Sequence, residues 1–169
     1  MAELIADATP RVLVYGADFL AQVDQLRHLA GSLEQCLALE ERSPDGADDL
    51  CLDEREGFPV SSPPLVELDL DDPWSLCYTG GTTGLPKGAV LTQGNILWNA
   101  VNTLTSWELK ADDVTLLNAP LFHTGGLNVL TAPLVLGGGT SILCRNFDPD
   151  QVFDLLQNFF LRGLFIRRI

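Results

Sequence analysis

The stretch YTGGTTGLPKG, Tyr78 to Gly88, holds four glycines, three threonines, one proline and one lysine in a single run. It continues WSLCYT, Trp74 to Thr79, a β-rich run, and leads into KGAVLT, Lys87 to Thr92, a second one. Gly80, Gly81 and Gly84 permit positive φ and let the backbone approach a ligand closely, so that successive N–H groups converge on an anion. Thr79, Thr82 and Thr83 add hydroxyl donors, Lys87 adds the compensating charge, and Pro86 sets the backbone just before it. These are the parts of a phosphate cradle. A flexible turn between strands is the competing reading, and the concurrence of glycines, threonines and a lysine directly after a buried strand favours the cradle. A Walker A loop needs GK followed by Ser or Thr, whereas Lys87 lies between Pro86 and Gly88. A dinucleotide fingerprint fails as well, because GxGxxG is missing and no helix starts at once.

Outward from this loop, short apolar runs alternate with helical patterns. RVLVYG, Arg11 to Gly16, reads as a strand, and Ala17 to Ala30 reads as a helix carrying Phe19, Leu20, Val23, Leu26 and Leu29, with Asp18 as its N-cap. CLALE, from Cys36, supplies the parallel partner strand of a βαβ unit. Residues 40–64, acidic and rich in proline and glycine, read as an irregular, solvated connection. After KGAVLT, Thr92 caps a helix that places Ile96, Leu97, Ala100, Val101 and Leu104 on one face. VTLLNAP, Val114 to Pro120, is a buried strand, TSILC another, and Asp148 with Pro149 opens a closing helix through about Phe159. The alternation implies an α/β fold with a largely parallel sheet and flanking helices.

The 169 residues are 46% hydrophobic, enough for one domain with a sizeable core. The net charge of −13 excludes nucleic acid or an anionic membrane surface as main partner, so any bound anion is held by local geometry. Cys36, Cys51, Cys77 and Cys144 form no CxxC pair, which suggests neither a zinc site nor a disulfide framework and fits a reduced, cytoplasmic interior. Met1 leads into AELIADATP, acidic where a secretory leader would be basic. Val114 to Cys144 lacks Asp, Glu, Lys and Arg, yet Asn118, Pro120, His123, Asn128, Pro133 and glycine clusters break it into pieces of globular core rather than a membrane span.

YTGGTTGLPKGAVLTQGNI resembles the phosphate-binding signature of the adenylate-forming superfamily, which includes acyl-CoA synthetases, adenylation domains of peptide synthetases and luciferases. That signature runs Tyr or Phe, Thr, Ser, Gly, Thr, Thr, Gly, any residue, Pro, Lys, Gly; here Gly80 replaces the serine, and Gln93 stands where many members carry histidine. APLFHTGG, Ala119 to Gly126, is similar to the family segment that borders the carboxylate substrate. The resemblance implies activation of a carboxylic acid by ATP, with Mg2+, to an acyl-adenylate, followed by transfer to CoA. It implies that Thr79, Gly80, Gly81, Thr82, Thr83, Gly84 and Lys87 enclose the nucleotide's phosphates, with Lys87, Thr82 and Thr83 acting in catalysis, and that His123, Gly125 and Gly126 border the acid. No protein ligand for a metal is assigned.

The resemblance covers a slice of the family's large N-terminal domain, residues 1–169 as one partial AMP-binding domain with the C-terminal domain absent. YGxTE-like and TGD-like segments, which bind adenine and ribose in the family, and a C-terminal catalytic lysine are not found. From about residue 157 the tail, QNFFLRGLFIRRI, departs from the family pattern; a fragment and a reading frame altered near Gln157 both account for it. Two functions stay open: an acyl-CoA synthetase, or part of one, and a non-catalytic remnant with at most weak nucleotide binding. Either way, a slice of a larger sheet is expected to self-associate through uncovered strand edges.

Overall fold

The computed structural model describes residues 2–80 and 86–158, and the chain divides into two compact units, Met1–Val66 and Glu67–Ile169. The first opens with a helix that the sequence reading did not anticipate, α1, Ala2–Ala8. It stops where Thr9 turns to φ 44°, and the following Pro10 disfavours further helix. Strand β1, Val12–Tyr15, a 3-10 turn, Ala17–Phe19, helix α2, Leu20–Leu29, and strand β2, Gln35–Ala38, then form the expected βαβ unit. The pairing is parallel, from Val12 opposite Gln35 to Tyr15 opposite Ala38. A two-residue strand β3, Leu50–Cys51, adds to β2 in the same direction.

Side chains alternate between the faces of this sheet. Tyr15, Cys36, Ala38 and Cys51 therefore share one face and pack with Val23 of α2, while Leu13, Leu20 and Leu33 close the cluster. Asp18 does not cap the helix: the N-cap position of α2 is Phe19, with no side-chain bond. The Ala17 N–H in the preceding turn goes instead to Glu40 Oε2 at 2.9 Å. A carboxylate remote in sequence thus satisfies a donor at the helix start.

Residues 40–64, expected as an irregular solvated connection, are ordered in their first half by β3 and a 3-10 turn, Leu52–Gly57. The cause is a buried polar network. Arg27 of α2 donates twice to Asp49, at 2.9 and 2.7 Å, and once to Ser43 Oγ at 3.2 Å. Tyr15 donates its hydroxyl to Asp49 Oδ2 at 2.7 Å and accepts from the Ser43 N–H at 3.0 Å. Arg42 adds a bond to the Asp49 carbonyl at 2.7 Å and a two-pronged pair with Glu54 at 2.8 and 2.6 Å. Burial pushes the Asp49 carboxyl up, but the bonds from Arg27 and Tyr15 and the charges of Arg27 and Arg42 outweigh it and leave the group below the usual carboxylate range. Burial, with the Asp49 bond, holds the Tyr15 phenol above its ordinary value.

In the second unit, strand β4, Pro73–Thr79, and strand β5, Lys87–Thr92, run antiparallel. The connection between them is too short for the crossover that parallel strands require, so this pair departs from the largely parallel sheet expected. Strand β6, Val114–Leu117, and strand β7, Thr140–Leu143, are parallel. Between β5 and β6 lies helix α3, Gln93–Trp107, begun by the expected cap: Thr92 Oγ1 accepts from the Asn95 N–H at 3.2 Å and Asn95 Oδ1 accepts from the Thr92 N–H at 3.0 Å. The apolar stretch after β6 is helical from Thr124 to Gly137, and its Leu130 and Leu134 pack on Leu117. Helix α6, Pro149–Asn158, starts as expected, Asp148 Oδ1 accepting from Asp150 and Gln151 at 3.0 and 3.3 Å; its expected end at Phe159 and the atypical tail lie outside the described residues. Among the described residues no helix is long and apolar enough to cross a membrane.

Candidate functional site

The β4–β5 register sets the geometry of the glycine-rich loop. Thr79 stands directly opposite Lys87, and Tyr78 opposite Gly88, so the glycine-rich segment is bounded by a paired threonine and lysine. Thr79 Oγ1 also donates across the hairpin to the Lys87 carbonyl at 3.4 Å. Both residues are exposed, which leaves the Lys87 charge available at the mouth of the loop. Gly88 is tightly covered by its partner: a Cβ there would stand 3.1 Å from Tyr78 Cζ and 3.2 Å from Cε1, so the ring would have to give by a few tenths of an ångström. The tyrosine ring therefore covers the strand position that glycine vacates, and the first and last residues of the motif form one cross-strand pair.

Gly81, Thr82, Thr83 and Gly84 lie outside the described residues, and their assignment rests on the sequence. Gly80 is described. Among the described residues the positive-φ glycine is Gly138, so Gly80 does not make a left-handed turn, and no described residue lies within 4 Å of where its Cβ would be.

The second motif folds as a tight turn after β6. The His123 N–H bonds the Pro120 carbonyl at 3.1 Å, and the His123 carbonyl accepts from Gly126 and Leu127, both at 3.0 Å. Helix α4, Thr124–Gly126, begins there with His123 as N-cap, its Nδ1 accepting from the Gly125 N–H at 3.0 Å. With Nδ1 occupied as an acceptor, the neutral ring carries its proton on Nε2 and presents a donor outward. His123 is exposed and Gly126 buried. A side chain at Gly126 would run into the carbonyl of Pro120 and come within 2.7 Å of that of Ala119. Glycine here lets the helix start pack onto the Ala119–Pro120 backbone.

Gly125 and Gly126 also border a cavity of about 590 Å3 whose other walls are mostly apolar, among them Leu116 and Leu117 of β6 and Phe153 and Leu156 of α6, with Asn118 the polar exception. The α6 residues were not legible as site residues, because nothing in a helical apolar pattern says which element it faces. His123 is not part of this lining. The two motifs are linked through α3, which starts where the Lys87 strand ends and packs on the helical run after His123. Asn99 of α3 bonds the Asn128 carbonyl in that run, a contact the sequence did not disclose. Among the described residues no group of three or more His, Cys, Asp or Glu side chains could hold a metal ion.

The family model described as AMP-binding enzyme matches residues 1–162. The chain is 42% identical over 156 residues to the indoleacetate–CoA ligase of Aromatoleum aromaticum, covering 92% of this chain and 30% of the ligase. It is 39% identical over 153 residues to a feruloyl-CoA synthase of an Amycolatopsis species, covering 90% of this chain and 28% of that enzyme. The crystal structure of ATP-bound MatB from Rhodopseudomonas palustris superposes with a TM-score of 0.76 at 27% identity, over 93% of this chain and 30% of that one. The 169 residues thus span less than a third of the length of these relatives. A family match over residues 1–162, which include the Lys87 hairpin and the His123 turn, places this chain in the AMP-binding enzyme family.

Proposed function

We propose that the chain carries the phosphate-binding part of an acid–thiol ligase, which activates a carboxylic acid with ATP as an acyl-adenylate and passes the acyl group to CoA. The observation that carries the reading is the hairpin register, which pairs Thr79 with Lys87 at the two ends of a glycine- and threonine-rich segment. Lys87 offsets negative charge on the phosphates as pyrophosphate leaves, and the loop's N–H groups and the hydroxyls of Thr79, Thr82 and Thr83 hold the phosphate oxygens. No described residue crowds Gly80, which suits a phosphate chain close to the backbone. The His123 Nε2–H is a donor suited to a carboxylate oxygen, with the Gly125 N–H orienting the ring. In this reading Mg2+ would come with ATP, held chiefly by phosphate oxygens and water.

For the 169 residues taken alone, the reading is nucleotide binding without turnover, because they span about 30% of the related ligase. Calorimetry with ATP and Mg2+ on the purified chain tests the first half of this statement. Binding is expected, and Lys87→Ala should weaken it about tenfold or more, the worth of one hydrogen bond to a charged group. Since Lys87 is exposed, the same change should leave the melting temperature where it was. A folded chain that binds no ATP, or one indifferent to Lys87→Ala, sinks the cradle. Pyrophosphate exchange with ATP, run across carboxylic acids including indoleacetate and ferulate, tests the second half: exchange by this chain alone would refute the non-catalytic reading.

A further inference from the structure

The helical run that follows His123 contains a proline in its interior and accommodates it by changing register. It consists of the α turn Thr124–Gly126, a π segment, Leu127–Thr131, and helix α5, Ala132–Gly137. Pro133 is the physical cause, since its ring clashes with the carbonyl four residues back and its nitrogen has no proton to donate. Widening one turn to the π register relieves the clash. In that register the Ala132 N–H bonds the Leu127 carbonyl, and Thr131 Oγ1 bonds the Gly126 carbonyl at 2.8 Å. The next carbonyl in the series, that of Asn128, falls to the nitrogen of Pro133, which cannot donate. It accepts instead from Asn99 Nδ2 of α3, at 2.7 Å.

We propose that Asn99 is a positioning residue: its carboxamide replaces the N–H that Pro133 lacks, and so holds the π turn that keeps the His123–Gly126 segment in place relative to the Lys87 hairpin. Gly126 leaves that segment no slack. Its N–H is bonded to the His123 carbonyl at 3.0 Å, its own carbonyl belongs to the π turn, and its Cα lies against the backbone of Ala119 and Pro120. Without the Asn99 bond the Asn128 carbonyl loses this partner, and the helix recovers one by shifting register toward its N-terminal end. That shift moves Gly126, and with it the Gly125 N–H that orients the His123 ring. Because α3 begins at the end of the Lys87 strand, the same bond ties the two motifs together. The importance of His123 rests on the proposed function; the coupling itself does not.

The test uses the full 169-residue chain labelled with 15N, reading the His123 ring nitrogens, the Gly125 and Gly126 amides and the exchange of the Ala132 amide. Asn99→Leu should shift the His123 and Gly125 resonances and speed Ala132 exchange about tenfold, the equivalent of one ordinary hydrogen bond. Asn99→Asp keeps the shape but replaces the donor by an acceptor, and should act in the same direction even if the leucine variant folds poorly. Pro133→Ala supplies the missing N–H, so adding it to either Asn99 variant should restore the slow exchange of the Ala132 amide. A generally loosened helix would not be repaired by that second change. Unmoved His123 and Gly125 signals in both Asn99 variants, or no recovery on adding Pro133→Ala, overturns the proposal. Absence of ATP binding would defeat the phosphate reading and leave these resonances to be judged by themselves.

Discussion

Arg27→Ala is expected to destabilise the first unit by about 3 kcal/mol, read as accelerated hydrogen exchange of the β1 and β2 amides and a lowered denaturant midpoint. The reason is what it leaves behind. The Asp49 side chain is 4% exposed and that of Arg27 25%, so truncating the arginine leaves a buried carboxylate without its charged partner and two of its three side-chain donors. Removing one partner of a buried pair typically costs about 3–5 kcal/mol. The low end applies here, because Arg27 is partly solvated and Tyr15 still donates to Asp49 at 2.7 Å. Arg27→Lys should be intermediate, keeping the charge without the two-pronged geometry. If Arg27→Ala leaves exchange at Tyr15 and Ala38 unchanged, the network does not hold residues 43–49 to the sheet.

The same network sets a pH dependence whose sign follows from the shifts. The Asp49 carboxyl is held below its ordinary value, so the folded state binds fewer protons than the unfolded one through the carboxylate range. Its stabilisation is therefore present above about pH 4 and is lost as pH falls through the lower folded value. The Tyr15 phenol is held above its ordinary 10.0, so its contribution is complete below that pH and is lost as pH rises through the folded value. The first unit should be most stable between these limits, and Arg27→Ala should flatten the acid side. An acid limb equally steep with and without Arg27 would assign it to other groups.

Gly126→Ala should destabilise the second unit by the upper part of about 1–3 kcal/mol, the usual cost of forcing extra volume into a packed place. Helix propensity alone predicts the opposite sign, since alanine is favoured over glycine by about 1 kcal/mol in a helix interior. Sterics decide, because the new methyl meets the carbonyls of Pro120 and Ala119, and backbone cannot rotate away as a flexible side chain can. Gly125→Ala is the control: its Cβ would stand 3.2 Å from His123 Nδ1, a side-chain atom able to give by a few tenths of an ångström. Thermal melts followed by the three tryptophans, Trp74, Trp98 and Trp107, report on this unit. A Gly126→Ala chain at least as stable as the parent would contradict the packing described for the His123 turn.

Local rules carried much of the way from sequence to fold where the groups involved are neighbours in sequence. The Thr92–Asn95 box and the Asp148–Pro149 start each satisfy donors one turn away, so composition and position sufficed to find them. The same rules misplaced Asp18, since a nearby N–H was taken by Glu40, and they treated residues 40–64 as solvated because acidic residues are solvated unless paired. Asp49 is paired, by an arginine from α2 and a tyrosine from β1, and neither partner is deducible from spacing.

The amino-acid sequence by itself determined the family, the glycine-rich segment's composition and much of the order of strands and helices, because such signals lie in short, contiguous stretches of backbone. Only the tertiary structure decided that Tyr78 covers Gly88, that Gly126 packs against the Ala119–Pro120 backbone, and that Asn99 serves the carbonyl Pro133 cannot. Those facts depend on atoms brought within a few ångströms by folding. Hydrogen bonds and steric exclusion act over that distance, and the linear pattern carries no record of which residues will share it.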